Sequence, residues 1–129
     1  MTTLFLSYNF NSIGETFANK IYFILKKQNA LNILFWKYSG EPGDFKAHIR
    51  KMIKSSNYFL FFWGKEIGKL QIEEVGYAKD QRIEIIPIKL PHYQKPKNLR
   101  PHCDLLKNLE TSKTSILVSE EEFEKINKA

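Results

Sequence analysis

Glu74 is the residue whose surroundings in the sequence point most clearly to chemistry. It lies in the segment Leu70–Ala78, between the hydrophobic runs Tyr58–Trp63 and Ile83–Leu90. In an α/β arrangement this segment is a helix that follows a buried strand, and ligands of such folds bind outside the carboxyl ends of the strands. A carboxylate on the first turns of that helix can face a cleft, where it could act on a sugar or a glycosidic bond.

Glu73 is the neighbouring carboxylate and the competing candidate. Consecutive residues of a helix point about 100° apart, so the two side chains should face different surroundings. The spacing puts Glu74 on one face with Leu70 and Tyr77. Both carboxylates are expected to be charges on the helix surface, and an isolated surface charge contributes at most about 1 kcal/mol to the free energy of unfolding. Replacing either one should therefore change stability little.

The order of hydrophobic segments predicts an α/β fold. Apolar runs of strand length alternate with segments whose apolar residues recur at helical spacing. Four strand–helix pairs, with a short fifth strand near residues 115–118, predict an open parallel sheet in the order 2-1-3-4 with helices on both faces. Pro87 favours an edge position or irregular pairing for the fourth strand. The predicted main strands are Thr3–Tyr8, Asn32–Trp36, Tyr58–Trp63 and Ile83–Leu90.

Helix starts are marked by two capping patterns, Ser12 with Glu15 and Ser119 with Glu122. Asp44 can cap a further helix, and another is predicted from about Lys69. The length of 129 residues favours one domain, 1–129, with a core over about 3–90 and C-terminal helices and a loop in 91–129.

Charge and composition limit the classes of partner. The net charge of +6 suits anionic partners such as dinucleotides. The lysines are dispersed and no nucleic-acid signature is present, so we do not expect nucleic-acid binding. Three histidines lack metal-ligand spacing, so no metal is expected. One cysteine, Cys103, excludes an intrachain disulfide and fits a reducing compartment. Without a secretory signal or a membrane-spanning run, we expect a cytoplasmic protein that does not enter membranes.

Three loops follow the first three predicted strands and open at the same edge of the sheet. The first holds Ser7–Phe10, the second spans Trp36–Phe45, and the third leads from Trp63 to the helix with Glu74. Aromatic faces suit a flat purine or nicotinamide ring. We therefore expect a cleft lined by aromatic residues with one carboxylate. Three of these aromatic residues are also compatible with plain core positions: Tyr8, Phe10 and Phe45.

Several short motifs between Thr3 and Leu90 resemble the Toll/interleukin-1 receptor (TIR) domain, in particular its bacterial members. The spacing of Gly76 and Ala78 after Glu74 is similar to the family's glutamate motif and favours Glu74 over Glu73. The resemblance implies a flavodoxin-like sheet of four to five strands. The matching stretches are Phe5–Tyr8, Glu41–Phe45, Ile49–Ser56, Glu74–Ala78 and Ile85–Ile88.

Many TIR domains cleave NAD at the nicotinamide–ribose bond with one glutamate, and they make ADP-ribose, cyclic ADP-ribose isomers or other signalling nucleotides, often in antiphage defence. The resemblance implies that Glu74 is this glutamate, which contacts the ribose and stabilises an oxocarbenium-like transition state. NAD is then the substrate, and no cofactor is expected. The implied NAD-binding residues are Ser7, Tyr8, Asn9, Phe10, Trp36, Gly43 and Phe45.

The resemblance also implies partners. TIR domains associate through TIR–TIR contacts, and two subunits often complete one cleft, so a homo-oligomer is expected, with a separate effector or sensor protein as a further partner. The sequence departs from the family pattern at Leu70, where tryptophan is common, at Trp63, where serine is common, and at Trp36, where aspartate is common.

Two other functions are compatible with the same residues. A non-catalytic TIR module would use the loop Ser39–Asp44 and exposed aromatic residues as an interface for assembly or recruitment. An enzyme similar to nucleoside deoxyribosyltransferases would use the glutamate before Gly76-Tyr77 on a related N-glycosidic bond.

Overall fold

A parallel sheet of five strands forms the centre of the computed structural model, which describes residues 1–36, 45–98 and 103–128. The strand order is β2-β1-β3-β4-β5. This confirms the predicted parallel sheet and the predicted order, with the fifth strand placed beside the fourth. The strands are β1 (Thr2–Ser7), β2 (Leu31–Leu34), β3 (Tyr58–Trp63), β4 (Glu84–Lys89) and β5 (Ile116–Leu117).

Helices cover both faces of the sheet, as predicted. The Ser12 hydroxyl accepts a 3.2 Å hydrogen bond from the Glu15 N–H at the start of the first helix, and Ser119 does the same for Glu122 at the last. Both predicted N-caps are therefore confirmed. No helix among the described residues is long and apolar enough to span a membrane. The α-helices are α1 (Ile13–Lys26), α2 (Phe45–Lys54), α3 (Lys69–Asp80), α4 (Cys103–Glu110) and α5 (Glu120–Lys128), with a 3₁₀ turn at Pro96–Asn98.

The alternation of side chains along β1 and β3 divides the core into two layers. Leu6 and its neighbours on one face pack with α1 and α5, where Phe17 stacks on Phe123 at 5.0 Å. Phe5 and Phe61 on the other face pack with Ile53 of α2 and with α3 and α4. Ser7 follows Phe5 by two residues, so its side chain faces the layer that contains α2 and α3.

Strand β3 lies inside the sheet between β1 and β4, as its unbroken apolar sequence predicts. The last five residues of the strand are all buried. β4 is also an inner strand, so the edge position suggested by Pro87 is wrong. β4 pairs with β5 only at Ile88 and Lys89, and the ladder to β5 therefore begins after the residue that lacks an N–H.

The second strand is shorter than predicted and ends at Leu34. Phe35 is fully buried, and Trp36 has already left the sheet and is half-buried. The predicted cap Asp44, the loop Ser39–Asp44 and Gly43 lie outside the described residues.

Candidate functional site

Glu74 lies on the side of α3 that packs against the sheet. Its side chain is only 6% exposed, so the surface position expected from the sequence is wrong. The buried residues of α3 are Gln71, Glu74, Val75 and Ala78, which have the spacing i, i+3, i+4, i+7 of one helix face. Two polar residues therefore occupy an inner stripe that is normally apolar.

The Glu74 carboxyl group is held by the end of β1. The Ser7 hydroxyl, itself 1% exposed, donates a 2.8 Å hydrogen bond to Oε1 of Glu74. Gln71 Nε2 donates to the carbonyl oxygens of Ser7 at 3.3 Å and Phe62 at 2.8 Å. α3 is thus tied to the carboxyl ends of both β1 and β3. Gln71 was not predicted from the sequence as a site residue. Its position three residues before Glu74 nevertheless indicates that both side chains share one face of the helix.

Burial changes the proton affinity of Glu74. Loss of hydration raises the pKa of its carboxyl group from the ordinary 4.5 to about 8; the Ser7 hydrogen bond opposes this rise, and the adjacent Glu73 charge adds to it. The carboxyl group is mostly protonated at neutral pH. A buried carboxyl group that titrates near the operating pH is a frequent feature of catalytic sites.

A small groove between α2 and α3, about 20 Å³ in volume and open to solvent, includes Glu74 in its lining. Glu74 is buried at its floor, whereas Glu73 lies at its exposed rim, 3.4 Å from Lys46 Nζ. Arg50 lies over the Tyr77 ring, 5.5 Å from its centroid. Both neighbouring carboxylates therefore border the groove, in different environments. The lining residues are Lys46, Ile49, Arg50, Ile53, Leu70, Glu73, Glu74 and Tyr77.

The predicted NAD-binding residues at the end of β1 divide between the two layers. Ser7 contacts Glu74, whereas Tyr8 is 4% exposed and stacks on Phe35 at 4.7 Å in the α1 layer. Tyr8 is thus a core residue on the face opposite Glu74. Asn9 is half-buried and its side-chain amide donates to the Glu66 carbonyl at 3.1 Å, which links the first and third loops.

Three other predicted residues form an aromatic cluster at the start of α2. The Phe45 ring lies 5.9 Å from Phe10 and 4.6 Å from Trp36, in edge-on contact with both. Phe10 is 37% exposed and the other two are half-buried. Because Phe45 directly precedes Lys46, this cluster borders the same end of α2 as the groove. Its predicted contact with NAD stays a prediction.

The positions that depart from the TIR pattern have distinct surroundings. Trp63 is fully buried, stacks on Phe61 at 5.3 Å, and donates from Nε1 to the Gln94 carbonyl at 2.8 Å. It therefore acts as a packing residue. Leu70 is half-buried and lines the groove together with Glu74.

A larger cavity lies at the carboxyl ends of β3 and β4, between α1 and α5. Its acidic residues Glu120 and Glu124 are exposed, and Glu120 is 2.6 Å from His92. It lacks a buried carboxyl group such as Glu74, so the α2–α3 groove is the stronger candidate despite its smaller size. Among the described residues, no group of three or more His, Cys, Asp or Glu side chains is arranged to hold a metal ion.

Comparisons with known proteins establish similarity of fold. No family model matches the sequence, and a search of curated proteins finds no significant match. Among solved structures, the Clostridium botulinum CMP N-glycosidase BcmB has 17% identity and a TM-score of 0.61, over 98% of this chain and 96% of that chain. The TIR domains of the activated Roq1 resistosome, which directly recognises the pathogen effector XopQ, have 14% identity and a TM-score of 0.60, over 99% and 84%.

A conserved protein from Enterococcus faecalis V583 is also similar, with 14% identity and a TM-score of 0.58 over 99% of this chain and 98% of that chain. At these identities the likeness shows the fold alone. The five-stranded parallel sheet with helices on both faces is consistent with a flavodoxin-like TIR fold.

Proposed function

We propose that this protein cleaves an N-glycosidic bond and that Glu74 is the catalytic carboxyl group. The observation that carries the proposal is one buried carboxyl group, hydrogen-bonded by Ser7 and placed at the floor of an open groove. A carboxyl group in a low-dielectric site can stabilise a ribosyl cation or donate a proton to a leaving base. The similar structures, a CMP N-glycosidase and TIR domains, support the same class of reaction.

NAD is the substrate that we favour, cleaved at the nicotinamide–ribose bond. The bond between C1′ and the ring nitrogen breaks, its electron pair neutralises the cationic ring, and nicotinamide leaves as a neutral molecule. The ribosyl group becomes an oxocarbenium-like cation, which the ionised Glu74 stabilises. Water then adds to C1′ and releases a proton to give ADP-ribose, or a nucleophile of the same molecule adds to give a cyclic product. One carboxylate suffices because nicotinamide needs no proton to leave.

The raised pKa of Glu74 fits a cationic substrate. The pKa near 8 arises mainly from burial, which the Ser7 hydrogen bond offsets only in part. A bound nicotinamide ring places a positive charge next to the carboxyl group and lowers the pKa, so that Glu74 ionises when the substrate is in place. The Ser7 hydroxyl is already oriented to stabilise the anion.

A nucleotide N-glycosidase is the second candidate, because the same pKa leaves Glu74 protonated at neutral pH. A neutral pyrimidine such as the base of CMP leaves poorly unless it gains a proton. The buried carboxyl group could donate that proton as a general acid while the bond between C1′ and the base breaks; water then adds to C1′ to give ribose 5-phosphate and releases a proton that restores the carboxyl group. This assignment is related to the deoxyribosyltransferase-like alternative.

The pH dependence of kcat/KM distinguishes the two assignments, since this quantity reports ionisation of the free protein. With NAD and an ionised Glu74, kcat/KM should fall about tenfold per unit as the pH drops below about 8. With CMP and a protonated Glu74, it should fall as the pH rises above about 8. A profile without an inflection near this pH for either substrate contradicts the role of Glu74. The biological role that we propose with NAD cleavage, on the TIR resemblance, is bacterial antiphage defence.

A further inference from the structure

Two cationic side chains, Lys46 and Arg50, line the groove beside Glu74. Neither takes part in the proposed cleavage of the N-glycosidic bond. Lys46 and Arg50 are four residues apart on α2, a spacing that places them on the same face of the helix, toward α3. Both side chains are exposed at the groove. The carboxyl group opposite them is mostly protonated in the free protein and does not neutralise them.

The present partners of these cations are weak and replaceable. Lys46 forms an ion pair with Glu73 at 3.4 Å, but their side chains are 63% and 43% exposed. An ion pair of this kind contributes little net stability. Arg50 lies over the face of the Tyr77 ring, 5.5 Å from its centroid, and forms no ion pair among the described residues. Its guanidinium N–H groups can therefore donate hydrogen bonds to a ligand.

We infer that Lys46 and Arg50 bind the phosphate group attached to the ribose of the substrate, so that the protein acts on nucleotides and discriminates against nucleosides. This inference rests on the proposed function, because Glu74 marks where the ribosyl carbon lies. A phosphate offers a guanidinium group two parallel hydrogen bonds and offers an ammonium group a strong charge contact. Both groups line the groove that contains Glu74, and one ribose ring joins the phosphate to C1′.

Glu73 opposes phosphate binding in this arrangement. Its carboxylate occupies Lys46 in the free protein, and a phosphate must displace it. The two neighbouring glutamates then have separate roles: Glu74 acts at C1′, and Glu73 sets the affinity for the anionic end of the substrate. Neutralising Glu73 should strengthen phosphate binding, whereas neutralising Lys46 should weaken it.

Ribose 5-phosphate is a probe that tests this inference without turnover. In calorimetric titrations at low salt, the wild type should bind ribose 5-phosphate. It should bind ribose much more weakly. The Lys46→Met/Arg50→Gln double variant should bind ribose 5-phosphate roughly tenfold or more weakly, as expected for the loss of charge-assisted hydrogen bonds. Glu73→Gln should bind it several-fold more tightly.

The matched control is Lys51→Met/Lys54→Met, which removes two positive charges from exposed positions of the same helix that do not line the groove. It should bind ribose 5-phosphate as the wild type does. Equal weakening in both double variants would mean a general effect of net charge and would overturn the inference.

Turnover separates this inference from the proposed function. If nicotinamide mononucleotide and nicotinamide riboside are cleaved with equal kcat/KM, the phosphate assignment fails and the proposed function stands. If ribose 5-phosphate binds as described but no N-glycosidic bond is cleaved, the anion site stands and the proposed function fails. We expect kcat/KM to be at least tenfold higher for nicotinamide mononucleotide than for nicotinamide riboside. The Lys46→Met/Arg50→Gln variant should lose this preference.

Discussion

The Ser7 hydroxyl donates a 2.8 Å hydrogen bond to Oε1 of Glu74 across a separation of 67 residues in the chain. Ser7 ends β1, and Glu74 lies in the second turn of α3. Both side chains are buried, so the bond joins the first strand of the sheet to the helix that follows β3. It also lowers the pKa of the carboxyl group against the effect of burial.

Replacing Ser7 should therefore shift the titration of Glu74. In Ser7→Ala the stabilising hydrogen bond is lost, and we expect the pKa of Glu74 to rise above about 8. The acidic limb of the kcat/KM profile for NAD should move to higher pH. Ser56→Ala is the matched control, because Ser56 is also buried but bonds the Met52 carbonyl. An unchanged limb in Ser7→Ala would contradict the coupling.

Glu74 should make the stability of the protein fall as the pH rises. Its folded-state pKa is raised to about 8 from 4.5, so the folded state holds a proton that the unfolded state releases between these values. The stabilisation by Glu74 is fully present below about pH 4.5 and is lost progressively as the pH rises to about 8 and above, a change on the order of a few kcal/mol.

Thermal melting of Glu74→Gln tests this dependence. The neutral amide has no charge to lose, so its Tm should exceed that of the wild type by an amount that grows from about pH 5 to about pH 8. Glu73→Gln removes the adjacent charge that adds to the raised pKa of Glu74, the smallest of its causes, so its Tm difference should vary with pH much less than that of Glu74→Gln. A Tm difference for Glu74→Gln that does not vary with pH would show that Glu74 titrates normally.

Local patterns in the sequence predict most of the fold. The Ser12 and Ser119 caps and the inner strand Tyr58–Trp63 depend on neighbouring residues or on burial of a continuous apolar run, and the structure confirms them. The alternation of such segments was sufficient to predict the parallel sheet. Pro87 was misleading because the ladder between β4 and β5 is short and begins beyond it.

The surroundings of the candidate site were harder to predict because they depend on contacts between distant segments. The inner stripe of α3 contains Gln71 and Glu74, and a search for apolar periodicity assigns such polar residues to the surface. The position of Tyr8, in contrast, could have been predicted from the sequence. Adjacent residues of a strand point to opposite faces of the sheet, so Ser7 and Tyr8 belong to different layers.

Two aromatic residues predicted to bind NAD, Phe10 and Tyr8, should respond differently to replacement by alanine. Phe10 is 37% exposed and packs on Tyr8 and Phe45, so Phe10→Ala should lower Tm less than Tyr8→Ala does, and it should raise KM for NAD several-fold if its ring contacts the substrate. Tyr8 is 4% exposed, so Tyr8→Ala should destabilise the fold by about 3 kcal/mol or more. Melting curves with steady-state kinetics provide the comparison. A normal KM in a stable Phe10→Ala variant would remove Phe10 from the predicted substrate-binding residues.

Assembly is expected to control the activity, since the resemblance to TIR domains implies contacts between subunits that complete a cleft. Specific activity with NAD should rise with protein concentration and should follow the mass measured by light scattering. The groove of a single chain is shallow and open, which is consistent with a need for a second subunit. Constant specific activity in a sample that stays monomeric throughout would contradict this expectation.

The comparison of Glu74→Gln with Glu73→Gln tests the central claim most directly. Each variant and the wild type are incubated with NAD and, separately, with CMP, and released nicotinamide or cytosine is measured by chromatography and mass spectrometry, after circular dichroism has verified the fold. Glutamine keeps the size of the side chain but loses the carboxyl group, a loss that should cost roughly 3–4 kcal/mol of transition-state stabilisation, or a hundredfold or more in rate.

We expect the wild type and Glu73→Gln to release base and Glu74→Gln to release almost none. Full turnover by Glu74→Gln, or no turnover of either substrate by the assembled wild type, would contradict the account; the second result would favour a non-catalytic assembly module.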